Sequence, residues 1–136
     1  MTSAYGTTSG TESREARPLM EGVMIFGLRD EIAGLRAEPQ YAEGDRNAAT
    51  LAKEVDLRVL LSVLRTGATL DEQDGDARTS IHLIEGSATL RGDGEDSPMG
   101  EGDIAVVDAG RPWFLTAQSD CAVLLTLAWP REKAGV

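Results

Sequence analysis

The sequence predicts an all-β sandwich or barrel preceded by one short helix. From Asn47 onward, apolar segments of strand length follow one another, and they are rich in Leu, Val and β-branched residues. Polar, glycine-containing turns separate these segments about every ten residues, which is typical of sandwiches and barrels. Ahead of them, apolar residues recur every third or fourth position, which is the spacing of one helix face.

The predicted helix lies between Val23 and Glu38 and should end at Pro39. Its apolar face consists of Ile25, Leu28, Ile32 and Leu35. Such a face could bind a membrane surface or a separate partner. We expect it to pack on the barrel or on a dimer partner, as amphipathic helices of globular proteins do.

Six strands are predicted, and turns bound each of them. They lie in residues 47–55, 57–67, 78–85, 87–92, 103–110 and 121–130. The first 20 residues are rich in Ser, Thr, Gly and Glu, and we expect them to be disordered. The predicted organisation is a disordered segment (1–20), a helix with its linker (21–46), a barrel (47–130) and a short tail (131–136).

The composition of the chain limits the classes of molecule that it can bind. The chain has 136 residues, enough for one domain with a modest core, and only 4% are aromatic. Its 23 acidic and 13 basic residues give a formal charge of −10, which disfavours binding to nucleic acid or anionic membranes. The first 20 residues lack the apolar stretch of a secretory signal, and no apolar run has the length of a membrane span. A cytoplasmic location is the expectation.

Two glycine motifs carry a family resemblance. In "GATLDEQDGDARTSIHLIEG", glycines stand at positions 67 and 86. In "GDIAVVDAGRPW", Gly102 and Gly110 precede Trp113, and Asp108 stands at a position where proline is usual. The order and spacing of both motifs resemble those of small single-domain cupins of the RmlC-like type, over about residues 47 to 129. The resemblance implies a jelly-roll barrel, the double-stranded β-helix, and small cupins usually form homodimers.

Catalytic cupins bind a metal ion with three histidines and a carboxylate, and in the same alignment this chain has none of these residues at the four ligand positions. The four ligand positions fall on Gln73, Gly75, Thr79 and Trp113. Glycine has no side-chain ligand, and the indole N–H of tryptophan can only donate. Amide and hydroxyl oxygens are weak neutral ligands. We therefore predict that the protein has no metal and no other cofactor.

Other reactive residues have simpler interpretations. His82 is the only histidine, and if Thr79 points into the barrel, strand alternation turns His82 outward. Cys121, the only cysteine, lies in an apolar run with no basic neighbour, which favours a buried structural thiol. The acidic loop at residues 70–76 lacks the glycine and distal glutamate of a calcium loop, so a solvated turn is expected.

Three functional hypotheses remain open at this point. The first is a non-catalytic protein that binds a small apolar or amphipathic molecule in the barrel lumen. The second is a metal-independent isomerase or lyase, in which Glu72 or Asp108 has a raised pKa and Arg58 supplies a cation. The third is a dimeric interaction module with a filled lumen. For the first, the lumen candidates are Arg58, Gln73, Thr79, Ile81, Leu83, Trp113 and Leu115. Trp113 either contacts the ligand or plugs the place of the metal.

Overall fold

The computed structural model describes residues 22–130, which form two helices and nine strands. Helix α1 spans Leu28–Ala37 and helix α2 spans Pro39–Glu43. The strands are β1 Arg46–Lys53, β2 Leu57–Leu64, β3 Thr69–Asp71, β4 Arg78–Glu85, β5 Ala88–Gly92, β6 Glu95–Met99, β7 Ile104–Val107, β8 Trp113–Ala117 and β9 Cys121–Ala128.

The strands form two antiparallel sheets that pack face to face. The five-stranded sheet has the order β1-β2-β9-β4-β7, and the four-stranded sheet has the order β3-β8-β5-β6. Strands distant in sequence lie side by side in both, as in a jelly roll. The last strand, β9, pairs with β2 on one side and β4 on the other.

The main core lies between the two sheets. Leu, Val, Ala and Ile side chains dominate it, together with Met99, Trp113 and Cys121. The five-stranded sheet contributes alternate residues of β4 and β9, because successive side chains of a strand point to opposite faces. Every residue buried in this cluster is at most 7% exposed, so the aliphatic side chains fill the interior closely.

A second apolar layer lies on the outer face of the five-stranded sheet. Ile32 and Leu35 of α1 pack there on residues of β1 and β2, together with Tyr41 of α2. The Asn47 side-chain amide ties the layers together by donating to the Leu35 carbonyl at 3.0 Å. The preferred interpretation of the helix, packing on the barrel, is therefore confirmed. Ile25 precedes the helix and is exposed.

The observed elements differ from the predicted ones in a few places. Pro39 ends α1 as predicted but begins α2, because proline has no N–H to lose in a first helical turn. Strands β3, β6 and β8 were not predicted. Strand β6 reads "EDSPM", and its Pro98 is tolerated because β6 is an edge strand. The predicted disordered segment and tail lie outside the described residues.

The four motif glycines, at positions 67, 86, 102 and 110, all have positive φ, between 81° and 93°. Gly86 has a second constraint besides its backbone angle. A Cβ at this position would clash with the Asp120 carbonyl oxygen and approach the Cys121 Sγ atom to 3.1 Å. Glycine is thus required at Gly86 both by conformation and by the close approach of the β8–β9 turn.

Candidate functional site

Most of the predicted lumen residues lie in the core between the sheets. Ile81, Leu83 and Leu115 are fully buried in the main cluster, and Thr79 is 2% exposed. Trp113 packs in the same cluster and is 5% exposed. The predicted inward phase of β4 is therefore correct, and little of the Trp113 indole is accessible from the lumen. Whether any of these side chains contacts a ligand stays a prediction.

Gln73 lies outside this core. Its side chain is exposed, and its amide Nε2 atom donates to the Asp71 carbonyl at 2.7 Å. A short hydrogen bond, Gly110 N–H to Gly75 carbonyl at 2.7 Å, holds the two motif loops together. The loops therefore meet as the alignment implies, although Gln73 turns its amide onto its own loop.

These residues do not fit a cupin metal ion. Gln73 is directed to the backbone, Gly75 has no side chain, and the Trp113 nitrogen carries a hydrogen and no lone pair for a metal. Thr79 would remain as a single neutral hydroxyl ligand. Within residues 22–130, no group of three or more His, Cys, Asp or Glu side chains is arranged to hold a metal ion.

Arg58 lies at the start of β2, where it pairs in register with Leu127, a core residue that also pairs with Thr79. Residues opposite one another in a sheet share a face, so Arg58 lies on the lumen side of the sheet. Its guanidinium carbon is 5.1 Å from the centre of the Trp129 ring, within cation–π range. Its Nε atom is buried with no hydrogen-bond partner in the described part of the chain.

The carboxylates proposed for catalysis do not meet in the lumen. Asp108 is exposed and accepts from the Arg78 Nε atom at 2.8 Å. The backbone N–H of Ala109 and then the Arg78 guanidinium lower the pKa of Asp108. The prediction that Asp108 has the raised pKa of a catalytic acid is therefore wrong. Glu72 lines a groove on the outer surface of the four-stranded sheet instead.

Two open grooves flank the four-stranded sheet. The mouth groove has a volume of about 340 Å³ and lies between the strands β5 and β6 and the end of β7. Its lining residues are Leu90, Gly92, Asp93, Ser97, Val106, Val107, Asp108, Arg111 and Pro112. Leu90 and Val107 also pack on the main core, so this groove reaches the interior of the barrel.

The outer groove has a volume of about 440 Å³ and lies on the solvent side of β8 and β5. Phe114, Asp71 and Arg91 line it, and they are neighbours in register across three strands. Phe114 is 40% exposed, whereas the adjacent Trp113 points into the core. The alternation along β8 thus gives its two aromatic residues opposite environments.

The remaining reactive residues have structural positions. His82 is half-buried and pairs in register with Leu124, which packs on the outer apolar layer. It therefore faces away from the lumen, as predicted. Cys121 is fully buried, and the carbonyl oxygens of Ser87 and Ser119 lie 3.2 and 3.1 Å from its Sγ atom, where either can accept its single S–H hydrogen. Burial raises the pKa of this thiol, so it is a poor nucleophile.

Sequence reasoning did not identify the mouth groove, because its residues come from four separate segments that only the fold brings together. Leu90, Ser97 and Pro112 carry no motif, and β6 was taken as a turn. The one available signal was the alternation in "DIAVVDAG", which places Val107 on the core face and Val106 on the surface.

No model of a known protein family matches this sequence, and no curated protein matches it either. Several solved structures, however, are similar to this chain. A conserved protein of unknown function from Streptococcus pyogenes is 24% identical with a TM-score of 0.59, covering 63% of this chain and 75% of that chain. A cupin superfamily protein from Desulfitobacterium hafniense is 15% identical with a TM-score of 0.59, covering 62% of this chain and 77% of the other. KdgF from a Halomonas species is 18% identical with a TM-score of 0.58, covering 71% and 87%.

The molecule therefore has the fold of the cupin superfamily, as the motif spacing implied. Proteins with this fold include a salicylate 1,2-dioxygenase from Pseudoaminobacter salicylatoxidans and the cupin domain of a transcriptional regulator from Enterobacter cloacae. The fold alone does not distinguish an enzyme from a binding module. Within residues 22–130 no helix is long and apolar enough to cross a membrane.

Proposed function

We propose that this protein is a non-catalytic cupin that works without a metal ion and holds a small amphipathic molecule in the mouth groove. One observation carries the proposal. The groove of about 340 Å³ leads from solvent to Leu90 and Val107, two partly buried residues that pack against the main core, and charged side chains stand at its rim. The accessible surface of the groove is mainly polar, with Leu90 and Val107 as an apolar part, and such a mixture suits a small molecule that carries both polar and apolar groups.

The packing of the barrel favours a ligand site at the mouth of the lumen rather than at its centre. A ligand at the centre would have to displace Ile81, Leu83 or Leu115, all of which are fully buried in close contact. Trp113 in this arrangement is the plug of the vacated metal position. The groove, by contrast, is already open to solvent.

The rim of the groove favours a ligand that carries polar groups. Arg111 donates to Asp93 at 3.2 Å, and both side chains are more than half exposed. Such an exposed ion pair contributes little to stability, so either partner can turn to a ligand at small cost. The groove thus offers one cation and two carboxylates, Asp93 and Asp108, beside the apolar side chains of Leu90 and Val107.

The binding role is tested first by native mass spectrometry of protein purified from its own organism, which reports a bound molecule and any metal together. The second test uses the fluorescent amphiphile 8-anilinonaphthalene-1-sulfonate and a groove-filling variant, Ser97→Trp. We expect the variant to weaken binding of the probe at least about tenfold, or about 1.4 kcal/mol.

Val55→Trp is the matched control, because Val55 is 84% exposed in the turn between β1 and β2 and does not line the groove. It should bind the probe as the parent does. Equal binding by the parent and Ser97→Trp would contradict the proposed site. Hydrolysis, isomerisation or elimination of a recovered ligand by the purified protein would contradict the non-catalytic role.

A further inference from the structure

The outer groove, on the solvent side of β8 and β5, differs from the mouth groove in having a mainly apolar surface. Its volume of about 440 Å³ lies in the range of small-molecule sites. Phe114, one of two phenylalanines in the chain, lines this groove and is 40% exposed. An aromatic ring that is open to solvent inside a groove offers a ligand both contact area and an electron-rich π system.

The strand register places Phe114 between a carboxylate and a guanidinium. Asp71 of β3 is its partner on one side, and Arg91 of β5 is its partner on the other. Residues opposite one another in a sheet project from the same face, so the three side chains form one row on the outer surface. The Arg91 Nη1 atom already donates to Asp96 at 2.8 Å, on the next strand of the sheet. The charge of Asp71 is therefore the one that this row leaves for a ligand.

Glu72 adds a second carboxylate to the groove. It follows β3 directly, and its backbone N–H donates to the Trp113 carbonyl at 3.2 Å, which holds Glu72 beside β8. Its side chain is half-buried, and a Cβ at Gly75 would lie 3.6 Å from the Glu72 Oε2 atom. Within residues 22–130 this carboxylate forms no hydrogen bond and no ion pair. A half-buried carboxylate without a partner loses part of its hydration, and a bound cation offsets that cost.

The charges around the outer groove favour a cation. The remaining ionised residue of the lining is Asp93, which accepts from Arg111 at 3.2 Å. The field of Asp71 also reaches Arg46, but that guanidinium already has an ion-pair partner. The formal charge of −10 on the whole chain acts in the same direction. Once the existing pairs are set aside, Asp71 and Glu72 make the groove complementary to a cation and unfavourable for an anion.

We infer that the outer groove binds a small organic amine, with its ammonium group against Glu72 and Asp71 and its apolar part on the Phe114 ring. The ammonium group donates charge-assisted hydrogen bonds to the carboxylates, which are stronger than neutral ones. The aromatic ring attracts the same positive charge and covers the apolar part of the ligand. The site therefore selects a molecule that carries a cation and an apolar group side by side.

This inference does not rest on the ligand proposed for the mouth groove. The two grooves meet at the β5–β6 hairpin, and the residues that line both are Gly92, Asp93 and Pro112. The aromatic ring and the two carboxylates that carry the inference line the outer groove alone. Ser97 lines the mouth groove alone, and it pairs with the core-packing Leu90, so it projects from the inner face of the four-stranded sheet. Variants at these positions therefore separate the two sites.

The test is the binding of phenethylamine to the full chain, measured by isothermal titration calorimetry at pH about 7. The parent should bind it with a dissociation constant below about 10 mM. Glu72→Gln, which keeps the shape of the side chain, and Phe114→Ala should each raise that constant at least about fivefold. Glu101→Gln is the matched control, because Glu101 is exposed in the turn between β6 and β7 and lines neither groove. It should bind the amine as the parent does.

A reversed charge makes the test independent of folding losses. Glu72→Lys should lower the preference for phenethylamine over 3-phenylpropionate at least about tenfold, a change that an unfolded variant cannot produce. Ser97→Trp should bind phenethylamine as the parent does, whatever its effect on the mouth groove. No binding of the amine by the parent up to about 10 mM would overturn the inference. Unchanged binding by Glu72→Gln or Phe114→Ala, weaker binding by Glu101→Gln or Ser97→Trp, or an unchanged preference in Glu72→Lys would also overturn it.

Discussion

Replacing Trp113 by alanine should destabilise the protein by about 3–5 kcal/mol, the range for large-to-small changes at buried tryptophans. The indole packs in the main core and is 5% exposed. A buried tryptophan removes about 200 Å² from water. At about 25 cal/mol per Å², that area corresponds to about 5 kcal/mol, of which the alanine methyl group retains a part. The loss is measured by urea unfolding followed by far-UV circular dichroism, which does not depend on the lost indole.

Phe114→Ala is the matched control for this prediction. Phe114 is the next residue of the same strand, but it is 40% exposed on the outer face. Its loss should therefore be clearly smaller, about 1 to 2 kcal/mol. Equal losses at the two positions, or a Trp113→Ala variant as stable as the parent, would refute the assignment of Trp113 as the plug of the barrel.

Three further predictions follow from the motif positions and from one carboxylate. The Trp113→His variant should hold no stoichiometric Fe, Mn, Ni or Zn, because Gln73 and Gly75 still supply no ligand. Elemental analysis after dialysis measures this, and about one metal ion per chain would contradict it. Gly86→Ala should destabilise far more than Gly102→Ala in urea unfolding, since both have positive φ but only Gly86 has a clash; strain alone costs about 1–2 kcal/mol. The Asp120 carboxylate accepts hydrogen bonds from the backbone N–H and the hydroxyl of Thr66. These bonds, the backbone one first, lower the pKa of Asp120 below its ordinary value of 3.8. The resulting stability is present above pH about 4 and is lost as pH falls towards the folded-state pKa, so Asp120→Asn should flatten the acid limb of the stability–pH curve.

The sequence predicted the fold well where apolar periodicity was strong. Strands β2 and β9 are eight residues each and rich in Leu and Val, and β4 alternates apolar with polar residues, so their pattern was clear. Strand β6 was missed because "EDSPM" has the composition of a turn. Such a segment forms a strand only because β5 offers it a complete ladder of partners, and that tertiary pairing overrides local propensity.

The candidate site was predicted less well, because alignment positions specify a backbone and not a side-chain direction. Thr79 and Trp113 lie in the interior, as their aligned positions implied, because both stand on strands, where alternation fixes the side-chain direction. Gln73 is in a loop, where no such rule applies, and its amide turned to a nearby carbonyl. The mouth groove depends on the spatial meeting of β5, β6 and β7, which no local pattern contains.

The position of β9 has a consequence for biosynthesis. Among the nine strands it is the last in sequence, yet it occupies the middle of the five-stranded sheet. While a ribosome is still translating β9, the strands β2 and β4 have both emerged with no neighbour between them. The nascent chain therefore exposes Leu- and Val-rich edges until Cys121–Ala128 has left the exit tunnel. The five-stranded sheet of this domain can therefore be completed only after its last strand has become available to pair with both β2 and β4.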